Sequence, residues 1–135
     1  MSIPTGANSG ERNRFIGCRF GSADNYIEQS NGNASTFLNC CSFNYSPRMI
    51  YLSAGTLYFT DGHIENDKDT TEWFYITGNN TMLNIVNTHI VVASAKTTYS
   101  EFYVHSDVIK GGLFINNTHY INSSIHSIPL VAGLS

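Results

Sequence analysis

Charged residues are scarce in this 135-residue chain: Asp, Glu, Lys and Arg make up 13% of it, about half of the usual share. The seven Lys and Arg are scattered and form no basic stripe, which argues against a nucleic-acid partner. No apolar run approaches the length of a membrane span, so we expect no membrane insertion. No window combines helical periodicity with caps, and a helical fold is therefore not predicted.

Cysteine is also rare. Three cysteines without a signal peptide do not describe a disulfide framework, and they predict a protein made in a reducing cytoplasm. Aromatic residues reach 13% and the net charge is only −3, which favours a folded chain over a disordered one. The composition is typical of short strands joined by polar turns.

A short motif recurs five times along the chain. Its copies read FIGCRF from Phe15, FLNCCSF from Phe37, FTDGHI from Phe59, IVNTHI from Ile85 and INNTHY from Ile115. The shared template is apolar, any, Asn/Asp/Gly, small, any, apolar, with one extra residue in the second copy. The copies begin 22, 22, 26 and 30 residues apart, as expected for stacked rungs with loop insertions.

A second apolar segment lies before each of the later copies. It reads NYIEQ, MIYLS, FYIT and FYVH in turn, and each repeat unit therefore holds at least two short strands. A single rung cannot bury its apolar residues, so neighbouring copies must stack, about 4.8 Å apart, to share one core.

The sequence thus predicts an all-β fold, a right-handed parallel β-helix (solenoid) of about five rungs. The expected boundaries are a lead-in segment over 1–10, the β-helix over 11–127 and a C-terminal tail or capping strand over 128–135. A β-sandwich or jelly roll remains open as the alternative.

Stacking would place equivalent template positions above one another. The first position predicts an inward apolar column, formed by Phe15, Phe37, Phe59, Ile85 and Ile115. The third position predicts a ladder of turn side chains, formed by Gly17, Asn39, Asp61, Asn87 and Asn117. Cys18 and Cys40 are assigned to the fourth position, as small half-buried turn residues.

The fifth template position predicts a column of His63, His89 and His119. A stack at the surface or at a subunit interface is the expected role, with acid-sensitive assembly as a further hypothesis. Metal coordination at a trimer axis is the alternative. No cofactor is expected.

The extra residues fall between a template copy and the next strand, at about 65–73 and 92–101, so both loops should lie at one edge. They hold half of the ten acidic residues together with two aromatic ones. Sugar rings stack on aromatic side chains and bond to carboxylates. The predicted carbohydrate-binding residues are Trp73, Tyr99, Asp67, Asp69 and Glu72. The other interpretation is a solvated acidic loop with Trp73 in the core.

Glycoside hydrolysis would require two carboxyl groups, about 5–5.5 Å apart for retention or about 6.5–9.5 Å for inversion. Spacing alone selects no pair from the candidates, which are Glu65, Asp67, Asp69, Glu72 and Glu101. A lyase would need a base and a cation, and this edge offers Lys68 and Lys96.

The copies FIGC, FLNC, FTDGHIEN and INNTHY resemble the pectate-lyase-like β-helices, especially the trimeric tailspikes and tail appendages of bacteriophages. The resemblance covers roughly residues 11 to 125. It implies a homotrimer that contacts host cell-surface polysaccharide, follows preceding tailspike domains and belongs to the virion tail after synthesis in the host cytoplasm. It maps no catalytic motif onto this chain.

Trimerisation would bury the apolar tail IPLVAGL, and we expect it to be needed for stability. Two other functions remain open at this point. One is a polysaccharide depolymerase that uses the carboxylates of the 65–101 edge, and the other is a bacterial surface adhesin.

Overall fold

The computed structural model describes residues 1–3, 12–21, 25–94, 97–122 and 131–133. Within these ranges the chain forms sixteen short strands arranged in three parallel sheets. Sheet A contains β1 (Ser2–Ile3), β4 (Asn25–Gln29), β7 (Arg48–Leu52), β10 (Phe74–Ile76), β13 (Phe102–Val104) and β16 (Val131–Ala132). Sheet B contains β2 (Arg12–Ile16), β5 (Ser35–Asn39), β8 (Thr56–Thr60), β11 (Met82–Val86) and β14 (Gly112–Asn116). Sheet C contains β3 (Arg19–Gly21), β6 (Ser42–Asn44), β9 (His63–Asn66), β12 (His89–Val92) and β15 (His119–Asn122).

Each strand pairs in parallel with the strand three places away in sequence, so the chain winds as a coil with one strand in each sheet per turn. The predicted all-β parallel solenoid is therefore confirmed. A β-sandwich or jelly roll would require antiparallel pairs, and the described strands form none. No helix in these ranges is long and apolar enough to cross a membrane.

The template itself contains two strands, because the chain turns at its third residue. The residue at this turn has a positive φ in every copy, between 46° and 65°. It is the third residue in four copies, at Gly17, Asp61, Asn87 and Asn117, and the fourth residue of the second copy, at Cys40. Glycine adopts this left-handed conformation without strain, and Asn and Asp tolerate it better than most residues. A single left-handed residue thus carries the chain from sheet B to sheet C in each coil.

The expected alignment of the second copy is wrong by one residue. Leu38, not Phe37, pairs with Phe15 and Phe59 in the inward column, and it is fully buried. Phe37 points outward and stacks on the ring of Tyr58, with centroids 4.9 Å apart. A one-residue slip moves a side chain to the opposite face of a strand, so the register decides which of two adjacent apolar residues is buried.

The same slip changes the turn. Cys40 replaces Asn39 at the left-handed position, and Cys41 replaces Cys40 at the fourth position. Asn39 instead faces outward on β5, where its amide donates a hydrogen bond to the Thr60 hydroxyl. Burial raises the pKa of the Cys41 thiol, whereas Cys40 is exposed.

Apolar columns from all three sheets meet inside the coil. In sheet B the fully buried column contains Leu38, Phe59 and Ile85, and in sheet A it contains Ile50, Phe74 and Phe102. The rings of Phe74 and Phe102 stack with centroids 4.7 Å apart. Burial of such a side chain stabilises the fold by about 1.5–3 kcal/mol, so the stacked core is the main source of stability.

The predicted ladder of turn side chains is confirmed across three coils. The Asn87 side-chain amide donates to the Asp61 carboxylate at 3.2 Å, and the Asn117 side-chain amide donates to the side-chain oxygen of Asn87 at 2.7 Å. Asn87 and Asn117 are thereby each tied to the equivalent residue of the preceding coil.

Both ends of the chain contribute to sheet A. Strand β1 pairs with β4, so Ser2 and Ile3 belong to the solenoid although they fall inside the expected lead-in segment. Strand β16 pairs with β13, within the expected tail over 128–135. The other positions of that tail, 128–130 and 134–135, lie outside the described residues.

Substitutions of Asn87 distinguish the stability that comes from the ladder bonds from the cost of the left-handed backbone conformation. Asn87→Ala removes both ladder bonds and puts in the left-handed region a residue that tolerates it less well than Asn, so we expect a loss of about 1–3 kcal/mol in the free energy of unfolding. Asn87→Gly removes the bonds only and should cost less. Urea unfolding measures both variants.

Asn84→Ala is the matched control, because Asn84 lies on β11, three residues before Asn87, in an extended conformation and faces outward. Equal losses in Asn87→Ala and Asn87→Gly would contradict the role of the left-handed turn.

Candidate functional site

Two long loops lie at the corner between sheets C and A. The first corner loop covers 67–73, between β9 and β10, and the second covers 93–101, between β12 and β13. The loops stack directly: the Ala93 amide donates to the Asn66 carbonyl at 2.8 Å, and the Ser94 hydroxyl donates to the Asp67 carbonyl at 2.7 Å. The expectation that both insertions share one edge is therefore confirmed.

The Asp69 carboxylate connects these two loops. It accepts backbone N–H bonds from Thr97, Thr98 and Tyr99, at 2.8, 3.0 and 3.0 Å, and a fourth bond from the Thr97 hydroxyl at 3.1 Å. Such charge-assisted bonds are stronger than neutral ones. Asp69 therefore orders the second corner loop, and half-buried Tyr99 is held by its own backbone amide.

Trp73 does not lie at the surface, where a residue that stacks on a sugar ring would have to be. Its side chain is fully buried, and its indole N–H donates to the Lys68 carbonyl at 2.8 Å, which closes the first corner loop. A sugar cannot stack on a ring that has no exposed face, so Trp73 is a core residue.

Glu101 is likewise fully buried and accepts a hydrogen bond from the Tyr120 hydroxyl at 3.0 Å. Burial, followed by the neighbouring carboxylate, raises the pKa of Tyr120. This location removes Glu101 from the candidates for contact with a polymeric substrate at the surface.

Two other acidic candidates, Glu65 and Asp67, are accessible and lie on either side of Asn66. Glu65 belongs to β9 and accepts a hydrogen bond from the Tyr45 hydroxyl at 3.0 Å, which raises the pKa of Tyr45. Asp67 forms an ion pair with Lys68 at 3.2 Å. Lys96, the second cation considered for a lyase, lies outside the described residues.

Glu72 links the first corner loop to the outer face of sheet A. Its carboxylate lies 3.3 Å from the Arg48 guanidinium and accepts a bond from the Thr71 hydroxyl at 3.1 Å. The guanidinium of Arg48 also lies over two aromatic rings, 5.2 Å from the centroid of Tyr75 and 5.9 Å from that of Tyr51. These cation–π contacts hold the Arg48 side chain on the sheet, and its contact with Glu72 holds the loop there.

Three tyrosines form a row that the sequence analysis missed. Tyr51, Tyr75 and Tyr103 occupy one column on the outer face of sheet A, with ring centroids 5.4 and 5.0 Å apart and nearly parallel planes. Burial, followed by the adjacent phenols, raises the pKa of Tyr75. We call this row the tyrosine ladder. Its signal was present in MIYLS, WFYIT and FYVH, where Tyr recurs at one strand position.

The stacking determines what the tyrosine ladder can offer to a ligand. Each ring covers much of the face of the next one, so the ladder presents ring edges and phenol hydroxyls rather than open ring faces. His105, two residues after Tyr103 in the chain, lies beside the ladder, with its ring centroid 6.3 Å from that of Tyr103.

Asp107 ties down the turn beside the ladder. It accepts hydrogen bonds from the Gly78 amide at 3.0 Å and the Thr77 hydroxyl at 2.9 Å, and it pairs with His105 at 3.0 Å. These bonds, led by the Gly78 amide, lower the pKa of Asp107. Their contribution to stability is present above the carboxyl's unfolded pKa and is lost as the pH falls through its lowered folded value.

The predicted histidine column exists. His63, His89 and His119 lie in register on the outer face of sheet C, with ring centroids 5.2 and 5.1 Å apart. Among the described residues no three His, Cys, Asp or Glu side chains are placed to hold a metal ion together.

The corner and the tyrosine ladder together form an open surface, since no pocket is found in the described part of the chain. Asp69 and Glu72 are bonded within the protein, and they order loops next to a row of phenols. This arrangement suits the binding of an extended polar ligand.

Comparisons with protein-family models, with curated proteins and with solved structures give no match.

Substitution of Asp69 tests the connection between the loops. Asp69→Ala removes all four bonds, so the amides of Thr97, Thr98 and Tyr99 should exchange with solvent about tenfold faster or more. Asp69→Asn keeps a carbonyl acceptor and should have an intermediate effect. Amide hydrogen exchange measures both.

Asp67→Ala is the control, because it removes a carboxylate from the same loop that forms only a partly exposed ion pair. Equal acceleration in this control would assign the effect to lost charge rather than to the bonds of Asp69.

Proposed function

We propose that this chain is a structural and receptor-binding part of a bacteriophage tailspike or tail fibre, that it assembles as a homotrimer, and that it contacts host cell-surface polysaccharide. The observation that carries the proposal is the tyrosine ladder beside two ordered corner loops. The parallel solenoid also supports it, and so does the low charge of the chain, which is typical of viral fibres.

The chemistry of the ladder favours carbohydrate. A polysaccharide repeats its hydroxyl groups along its length, and the solenoid repeats a phenol hydroxyl once per coil, at about the spacing of paired strands. Arg48 adds a cation next to the row. A glycan that lay across this surface would exchange hydrogen bonds with several coils at once.

The bonding of the carboxylates supports binding over hydrolysis. A general acid and a base must be free to exchange protons with the substrate. Asp69 instead accepts four bonds from the second corner loop, and Glu101 is buried against Tyr120. These two groups act as structural acceptors, which is the role that a binding surface requires.

The outer face of sheet B supports trimerisation. Its central column contains Arg14, the stacked pair Phe37 and Tyr58, Asn84, and Phe114, which is 52% exposed. Met82 and Val86 flank this column on the same face. Aromatic residues, Met and Arg are enriched at surfaces between subunits.

Conservative substitutions test the glycan contact. Tyr75→Phe removes one hydroxyl from the ladder and leaves the stack, so we expect binding to a bacterial capsule or O-antigen to weaken about two- to tenfold. A panel of such polysaccharides, immobilised and titrated with the full chain, provides the measurement.

Tyr58→Phe is the matched control, because Tyr58 is also a half-buried, stacked phenol on an outer face, but on sheet B. Absence of binding to every polysaccharide in the panel would overturn the proposal, and so would an equal loss in Tyr58→Phe.

Light scattering tests the trimer. The native mass should be three times the 14.9 kDa of one chain, and Tyr58→Lys should dissociate it because a charge would be buried at the interface. Tyr75→Lys, on the other sheet, should leave the mass unchanged. A wild-type monomer at micromolar concentration would contradict this part of the proposal.

A further inference from the structure

Two cysteines occupy the same position in adjacent coils. We call the coil that contains β2 and β3 the first coil, and the coil that contains β5 and β6 the second coil. Arg19 of β3 pairs with Ser42 of β6, and the pairing of β2 with β5 keeps the same offset, so the register aligns Cys18 with Cys41. The Ser42 amide donates to the Cys18 carbonyl at 2.9 Å, as this alignment requires. Each coil therefore places one thiol just after its left-handed turn.

The two thiol groups have the same orientation. The Cys18 sulfur lies 3.7 Å from the Ile16 carbonyl oxygen. The Cys41 sulfur lies 3.4 Å from the Asn39 carbonyl oxygen, so both side chains turn back toward the residue two places earlier in the chain. The Cys41 sulfur also lies 3.5 Å from the carbonyl oxygen of Phe15. It is thus directed toward the first coil, which holds Cys18.

The third coil, which contains β8 and β9, offers Cys41 no equivalent side chain. Gly62 lies there at the same template position, and a Cβ on Gly62 would come within 2.2 Å of the Phe59 ring. Cys41 is 1% exposed, whereas Cys18 is half-buried and packs against the same core. The neighbour of Cys41 in its own column is therefore the Cys18 thiol.

The titration of Cys41 is consistent with this contact. Burial raises the pKa of the Cys41 thiol. The backbone of Cys18 lowers that pKa, while the charge and the hydrogen bonding of the Cys18 side chain raise it. The two side chains are therefore close enough to influence each other, and the less buried Cys18 is the better first nucleophile.

The distance between coils fits a disulfide. Paired strands lie about 4.8 Å apart, within the Cα separation of about 4.4–6.8 Å that disulfides span. From the shared position, the common orientation and this spacing we infer that Cys18 and Cys41 form a redox-responsive pair, which a low-molecular-weight disulfide oxidises to a covalent bond between the first and second coils. The pair stays open in a reducing compartment and closes where oxidised small thiols accumulate.

The oxidation consists of two exchange steps. The Cys18 thiolate attacks one sulfur of the small disulfide, which forms a mixed disulfide and releases one small thiolate. The Cys41 thiolate then attacks the Cys18 sulfur, which forms the bond between the cysteines and releases the second small thiolate. The released thiolates take up the two cysteine protons. The protein thus loses two electrons and two protons, and the small disulfide gains them.

Cys40 lies outside this pair. It is exposed and occupies the left-handed turn itself, in the column that contains Gly17 and Asp61. Neither neighbour in that column is a cysteine, so Cys40 has no thiol in the adjacent coil to pair with. Cys40→Ser therefore removes the third thiol without removing the pair.

Mixtures of oxidised and reduced glutathione test the inference on the full chain. In Cys40→Ser, a high oxidised fraction should make both remaining thiols unreactive toward an alkylating reagent, with no glutathione attached, and dithiothreitol should restore both. In the wild type, trypsin places Cys18 in the peptide 15–19 and the other two cysteines in the peptide 20–48. A cross-link between these two peptides should appear on oxidation.

Removal of either member of the pair should abolish the bond. Cys40→Ser/Cys41→Thr leaves one thiol, which should remain alkylatable or carry glutathione. Thr suits this position because Thr88 and Thr118 occupy it in later coils. Cys40→Ser/Cys18→Thr provides the same test at the less buried cysteine, should the buried position not accept Thr.

Hydrogen exchange measures what the bond does to the fold. A covalent link between the first and second coils should slow the exchange of amides in β2 and β3 by about tenfold or more, in the wild type and in Cys40→Ser alike. Cys40→Ser/Cys41→Thr should show no response to oxidised glutathione.

Three results would each overturn the inference. They are glutathione on both thiols of oxidised Cys40→Ser in place of a bond between them, a wild-type cross-link that requires Cys40, and unchanged exchange of β2 and β3 on oxidation. None of these results depends on glycan binding or on the trimer.

Discussion

The whole structure depends on one constraint, the register between successive coils. It is held at the turn between sheets B and C, where a single left-handed residue repeats in all five template copies and side-chain bonds join Asp61, Asn87 and Asn117. With this point fixed, the strands on either side of the turn stack in phase. The buried columns, the tyrosine ladder and the histidine column all follow from the same alignment.

This constraint also explains how far the sequence could predict the fold. Recurrence at a fixed template position identified the solenoid, the turn ladder and the histidine column. It failed at the second copy, where Phe37 and Leu38 are both apolar and only the partner coils decide which one is buried. The left-handed Cys40 was missed because Asn39, beside it, is the more usual turn residue.

The candidate site was predicted in position but not in detail. Loop lengths located the corner, because insertions between stacked strands must leave the coil at one edge. They could not show that Trp73 and Glu101 turn inward, since neither residue has a repeating pattern that reports its direction. The tyrosine ladder lies on strands and not in the expanded loops, so the loop lengths could not indicate it.

Within one short chain, the strands maintain the core and the corner loops can change. The first and second corner loops differ in length, yet the strands that flank them stay in register, because the added residues are held by loop-to-loop bonds such as those of Asp69. Evolution can therefore lengthen or rewrite this edge without disturbing the core. The same independence makes the corner a natural place to graft foreign recognition sequences onto a rigid rod.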